Sequence, residues 1–193
     1  MPRDYAQLAP NKVRRHDREV TDESWIRDYL KEAPTGAMAT VNEGQPFINS
    51  NLFVYDEDAH AIYLHTARVG RTQANVEEGD GVPVCFSAFS MGRLLPAKQA
   101  LEFSVEYEGV TVFGKGRLVR DDAEATRNLQ MLLDKYAPHL KPGEDYEPIN
   151  AEELKRTAVF RIDIESWSAK RKQVADDFPG AFHYPVNGLQ LQR

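Results

Sequence analysis

The stretch Ile62-Tyr63-Leu64-His65-Thr66-Ala67-Arg68-Val69-Gly70-Arg71-Thr72-Gln73-Ala74-Asn75 combines residue types that could hold an anion. It carries Arg68 and Arg71 and no acid, in a chain whose formal charge is 24 − 30 = −6. An apolar strand ending in His65-Thr66, a loop with Gly70 and a helix opening at Arg71-Thr72 would bring backbone N–H groups, a hydroxyl and guanidinium donors to one place. A phosphate monoester needs that set of donors. A capped helix with solvated arginines would have the same sequence, so the pattern alone leaves both readings open. The same holds for His65, which could be an acid–base group or simply a hydrogen-bonded strand residue.

Other chemistries fit poorly. Gly109-Val110-Thr111-Val112-Phe113-Gly114-Lys115-Gly116 approaches a phosphate-binding loop. It lacks the final Ser or Thr, and its interior reads as a strand rather than an amide cradle. The five histidines (His16, His60, His65, His139, His183) form no ligand pair at helical spacing, and Cys85 has no second cysteine, so no metal site is expected. Cys85 lies in an apolar run and reads as a small hydrophobe rather than a nucleophile. No Gly-x-Ser-x-Gly elbow occurs.

The elements that would position these residues are mostly strands. Gly36–Val41, Phe47–Tyr55 and Ala61–His65 alternate or run apolar and are joined by short polar turns, which predicts an antiparallel meander. Further strands are expected at Val82–Phe89, at Leu101–Val119 with a break near Glu108-Gly109 and a kink at Gly114-Lys115-Gly116, and at Thr157–Ile164. His60 and His65 are placed on opposite faces of one strand. Helices are expected from an N-cap at Thr21 to Ala33, over Arg71–Glu78, after Asp121 through the Leu129, Leu132, Leu133, Tyr136 repeat, and after Asn150. Six or seven strands with flanking helices predict a mainly β fold, a closed or partly closed antiparallel barrel. Residues 1–20 read as an arm, solvated or docked on a neighbouring subunit, and 173–193 as a tail on the barrel or partner.

The 193 residues, 41% hydrophobic and 28% charged, suit a soluble globular core needing no disulfide or metal staple. Negative charge argues against nucleic acid or an anionic membrane as partner. No apolar run approaches membrane-spanning length, and a cytoplasmic location is expected.

The runs Gly44–Phe47, Phe53–Asp56, Ile62–Ala67 and Gly70-Arg71 together resemble the pyridoxamine 5′-phosphate oxidase-like superfamily of FMN-binding split barrels, notably its nitroimidazole-resistance (Nim-like) flavoproteins. Arg15-His16-Asp17-Arg18-Glu19-Val20, Tyr107–Val110 with Phe113-Gly114, and Trp167–Lys170 agree in order and spacing, so the resemblance covers residues 14–172. It implies a split-barrel domain over 21–172 and a homodimer with FMN in a groove at its interface. Ser50 and Asn51 would face the flavin ring, and His65 and Thr66 the ring or ribityl chain. Gly70, Arg71 and Thr72 would hold the phosphate, with Tyr107, Gly109, Trp167 and Lys170 closing the pocket, partly from the second subunit. Tyr107 and Trp167 fit ordinary barrel core equally well.

The implied function is an oxidoreductase passing electrons from reduced flavin, with NAD(P)H as donor, to a small nitro compound or quinone. His65 is its candidate catalytic group. The alternatives are a flavin- or haem-binding sensing module, with His65 as iron ligand, and a deazaflavin (F420)-dependent oxidoreductase. Ile48-Asn49-Ser50-Asn51 and Ser166–Arg171 lack the basic patterns of true pyridoxamine phosphate oxidases, so vitamin B6 oxidation is not expected.

Overall fold

The computed structural model describes residues 7–76 and 80–184. Seven strands make one antiparallel path: β3 (Gln45–Asn51), β2 (Gly36–Asn42), β6 (Val82–Leu95), β7 (Ser104–Leu118), β8 (Thr157–Lys172), β5 (Ala61–Ala67) and β4 (Phe53–Asp56). Two short strands attach to it, β1 (Glu19–Val20) on β8 and β9 (Phe182–His183) on β6. The path begins with β3 and ends with β4, which are consecutive in the chain and separated only by Leu52. The expected single strand Phe47–Tyr55 is therefore two. It pairs with β2 before Leu52 and with β5 after it, and this switch closes the sheet into a split barrel through the chain itself.

Alternation decides which face each strand buries. On β2, β6 and β7 every second residue is buried, and Met38, Thr40, Val84, Phe86, Ala88, Val110 and Val112 point into the barrel. Phe53, Tyr55, Ile62, Leu64, Phe160 and Ile162 complete the interior from β4, β5 and β8. Helix α1 (Glu23–Glu32) packs Ile26, Tyr29 and Leu30 against that core, and Val76 of α2 (Arg71–Val76) joins it. By contrast, Phe53–Asp56 and Ala61–Leu64 are buried at every position. Their outer faces lie beneath α3 (Asp122–Tyr136) and α4 (Ala151–Arg156), where Val54, Tyr63, Val159, Ala125 and Leu132 form a second cluster. A strand covered on both sides reads as an unbroken apolar run, and these do.

Several local expectations are corrected. The N-cap of α1 is Asp22, whose carboxylate accepts from Ser24 and Trp25 N–H, not Thr21. β7 runs unbroken through Glu108-Gly109, and its irregularity against β8 falls at Phe113/Gly114. There a Cβ on Gly114 would lie 2.0 Å from the Asp163 carbonyl oxygen, so only glycine admits this approach. β6 and β8 run on to Leu95 and Lys172, well past the expected ends. His60 sits in the turn before β5 with φ of 45°, not on the strand with His65. Within the expected arm, Val13 is buried and Glu19-Val20 pairs with Lys170-Ala169 of the same chain. Residues 77–79 of the expected second helix and 185–193 of the expected tail lie outside the described residues.

The strand switch is held from one helix. Tyr136 Oη accepts from Phe53 N–H at 3.1 Å, and Lys135 Nζ donates to the carbonyls of Ala33 (2.8 Å) and Phe53 (3.0 Å). Lys135 also lies 4.0 Å from the centre of the Phe53 ring. No carboxylate pairs with it among the described residues, and desolvation pushes its pKa down to about 8. A depressed lysine pKa means that the unfolded chain holds more protons between the two values. Stability contributed by this site therefore rises as pH increases from about 8 towards the ordinary 10.5. Denaturant unfolding of wild type and Lys135→Met across this window should show that rise in wild type only. Parallel curves would remove Lys135 as its source.

Candidate functional site

Among the described residues the outer face of β3-β2-β6-β7 and the end of β8 carries no helix, and the register puts its residues in rows. Ser50, Ala37, Ser87, Thr111 and Ser168 lie side by side across five strands. Phe89, Gly109 and Lys170 form the next row, and Met91, Tyr107 and Lys172 the one after. Small side chains make a low floor, so a groove of about 290 Å³ opens among Ser87, Ala88, Phe89, Tyr107, Gly109, Thr111, Ser168 and Lys170. Gly109 keeps that floor low: a Cβ there would lie 2.9 Å from the Ala88 carbonyl and 3.4 Å from Phe89. The Phe89 and Tyr107 rings lie 6.1 Å apart at an interplanar angle of 29° and form one wall. Phe89 is 62% exposed and Ile48 65%, both on this face, with Met91 near half. Surface apolar groups concentrated on one bare sheet face mark a place where something binds.

The expected site residues fall into several separate places. Tyr107, Gly109 and Lys170 meet in the groove, and Ser50 shares its face two strands away. Asn51, at the end of β3, donates from Nδ2 to the Asn49 carbonyl at 3.3 Å. Gly70 and Arg71 line a separate surface crevice with Arg68, Val69, Gln73 and Ala74. Arg71 is exposed there, whereas Thr72 is buried and its hydroxyl accepts from Asn49 Nδ2 at 3.0 Å. Asn75 similarly donates to Thr40 Oγ1 at 2.7 Å, so α2 is tied by its inner face across β2 and β3. Thr66 is the last residue but one of β5, with its hydroxyl donating to the Ala67 carbonyl at 2.8 Å.

Trp167 does not share the groove with Lys170. Three residues apart on one strand, they point to opposite faces. The Trp167 ring packs towards the core, edge-on to His60 at 4.9 Å and under the Arg27 guanidinium at 5.6 Å.

His65 also stands apart. It follows Ala61 and Tyr63 on the outer face of β5 and opens into a cavity of about 420 Å³ bounded by α3 and α4. Leu129, Leu132, Leu133 and Ile149 make the apolar part of this cavity, and Glu153, Arg156 and Thr157 the polar part. Although the residue is exposed, the surrounding protein removes enough water to lower the imidazole pKa, so the ring is neutral near pH 7. β7 and β8 separate this cavity from the strand carrying Phe89.

The groove floor was not legible as a site. Ser87, Thr111 and Ser168 are separated by twenty to sixty positions along the sequence, and only the register aligns them. The alternation of small polar with apolar residues on β6 and β7 was the available signal. Among the described residues no cluster of three or more His, Cys, Asp or Glu could hold a metal ion, and no helix is long and apolar enough to cross a membrane.

Residues 22–171 match the model of the pyridoxamine 5′-phosphate oxidase family, so the chain belongs to that family. The fold is shared with solved structures of low sequence identity. The flavocytochrome Anf3 from Azotobacter vinelandii is 22% identical, with 93% of this chain and 86% of that chain covered and a TM-score of 0.74. An FAD- and haem-binding protein from Mycobacterium smegmatis is 21% identical, with 90% of each chain covered and a TM-score of 0.71. A protein assigned to 5-nitroimidazole antibiotic resistance in Bacteroides thetaiotaomicron is 17% identical, with 79% of this chain and 86% of that chain covered and a TM-score of 0.63. No curated protein matches the sequence.

Proposed function

We propose that two copies of this chain bind FMN between their bare barrel faces and act as an oxidoreductase on a small nitro compound or quinone, with NAD(P)H as donor. One observation carries the reading: the uncovered face of β3-β2-β6-β7-β8 combines a small-residue groove, an aromatic wall and exposed apolar side chains. A planar ring system needs such a floor, and Gly109 supplies the space that any Cβ would fill. Among the described residues nothing covers Ile48, Phe89 and Met91, and a second copy would take them out of water. The fold neighbours agree, since one is a flavocytochrome and another binds FAD and haem. Bound flavin would supply the two-electron chemistry. The chain's own part is to seat the ring on Ser87, Gly109, Thr111 and Ser168, to exclude water with Phe89 and Tyr107, and to set local charge with Lys170.

The phosphate would go to the Gly70–Arg71 crevice. Arg71 is exposed and presents a fork of donors there. Arg71→Ala should weaken FMN by about 2–3 kcal/mol, the size of a lost charged hydrogen bond, and leave riboflavin almost unaffected. Fluorescence titration of both flavins checks this. A variant that still prefers FMN over riboflavin as strongly as wild type would contradict the assignment.

A second reading is favoured by the position of His65. A neutral imidazole facing a cavity lined by leucines, with Glu153 and Arg156 among its polar lining, would offer a haem a nitrogen for the iron, an apolar bed and a cation for a propionate. The cavity and the groove are separate, so haem at His65 and flavin at the bare face are compatible in one chain. Titration with haemin should give a sharp Soret band in wild type. His65→Ala should lose it while FMN binding is unchanged. Equal haem binding by that variant would return His65 to a structural role.

A further inference from the structure

The Arg15-His16-Asp17-Arg18-Glu19-Val20 motif folds back onto the end of the groove. His16–Arg18 form one 3-10 turn, and β1 then pairs Glu19 with Lys170. This places the Arg18 guanidinium 5.8 Å from the centre of the Tyr107 ring, with Nη1 donating to Tyr107 Oη at 3.3 Å. Tyr107 is the shared wall of the groove and of an adjoining cavity of about 200 Å³, which Lys172 also lines. Across the β7–β8 ladder Lys172 stands opposite Tyr107, and Lys170 opposite Gly109. Three cations from two segments thus surround one aromatic ring at the mouth of a groove.

The neighbouring acids are engaged elsewhere. Asp17 holds Arg15 through two hydrogen bonds of 2.8 and 2.6 Å, and only its Oδ2 reaches Arg18, at 3.7 Å from Nε. Glu19 contacts His16 at 3.1 Å. Glu106 is chelated by Arg93 at 2.8 Å through both oxygens, which with the Val174 N–H holds its pKa down to about 2. Glu108 lies 3.5 Å from Arg171. No carboxylate lies within 4.0 Å of Lys170 or Lys172 among the described residues, and the Lys172 ammonium donates to Ser104 Oγ with two further protons to spare. Desolvation first, then repulsion from Arg18 and Arg15, lowers the Lys172 pKa. Like charges held together in an acidic protein lower their energy by taking up an anion.

We propose that Arg18, Lys170 and Lys172 form an oxyanion subsite, for a carboxylate or phosphate carried on a small planar molecule, so that this end of the groove selects anionic substrates over neutral ones. The identity of that ligand as a substrate rests on the groove being the redox site; the subsite itself does not. Its anion lies against Tyr107 at the mouth of the groove, and the planar body reaches inwards from there, over the seat given to the flavin ring.

Calorimetric titration of the full chain with 4-nitrobenzoate, with its neutral isostere 4-nitrobenzamide and with 4-nitrophenyl phosphate tests the subsite. At least one anion should bind about ten-fold to a hundred-fold more tightly than the amide, the factor for a hydrogen bond to a charged group. Comparison of the two anions shows which oxyanion is preferred. The advantage should shrink between about 20 and about 200 mM salt. Arg18→Gln with Lys172→Gln should abolish it. Lys170→Gln, at an exposed position that leaves the fold intact, should reduce it even where the double variant fails to fold. Equal affinities for anion and amide, no binding of either anion, or an unchanged preference in folded variants would overturn the proposal. The flavin absorbance of the same preparation reports on the redox site separately: anion preference without flavin removes only the substrate identity, and flavin without anion preference removes only the subsite.

Discussion

The rest of the structure depends on two consecutive strands, β3 and β4, serving the two ends of one sheet. Because β3 and β4 are joined through Leu52, the sheet must curl until its first and last strands meet, and one face becomes the inside of a barrel. Among the described residues β3 and β4 share no ladder at that point. The end of α3 supplies the missing bonds through the Tyr136 hydroxyl and the Lys135 amine on the backbone of Phe53. Lys135 also binds the carbonyl of Ala33, so the same side chain fixes α1, which packs against the core, to the strand switch. A half-buried amine is a costly fastener, since its charge is poorly solvated, and the same desolvation lowers its pKa.

Once the barrel is closed, only its outer face is left for function, and α3 and α4 divide that face in two. Over β4, β5 and the start of β8 they cover the sheet almost completely, leaving the leucine-lined cavity in front of His65. Over β3, β2, β6 and β7 they leave it bare, with small residues at the centre and apolar ones around them. The division separates residues that a linear reading groups together. His65 and Thr66 are neighbours in sequence, yet alternation sends their side chains to opposite sides of β5. The Arg93–Glu106 pair performs a related task at the other end. Arg93 binds Glu106 and the carbonyls of Val174, Ala175 and Asp176, which holds the chain after β8 beside the groove and lets β9 join β6.

Much of this was legible in the residues. The strands at β2, β4 and β5 and the short turns between them followed from the residues, but which of their faces would be covered did not. The long α3 and the cap at Asn150 followed from spacing and side-chain chemistry, and Asn150 with Glu153 forms a complete capping box. What escaped depends on register or on distant partners. Nothing local marks Leu52 as the place where pairing changes sides. Val13 looked like part of a solvated arm because the surface that buries it comes from elsewhere in the fold. Trp167 and Lys170 looked like one pocket because the last strand was expected to end at Ile164; β8 runs on to Lys172, and alternation along it sends the two side chains to opposite faces.

The proposed function requires the bare face to seat both flavin and a second copy. Hydroxyl-radical footprinting reads that directly through side-chain reactivity. Between dilute apo-protein and concentrated FMN-loaded protein, oxidation of Phe89, Met91 and Tyr107 should fall several-fold, while Leu133 and Leu140, exposed elsewhere, should react as before. Unchanged reactivity of Phe89 and Met91 under conditions where FMN is bound would contradict it, because the flavin and the second copy would then lie somewhere other than on this face.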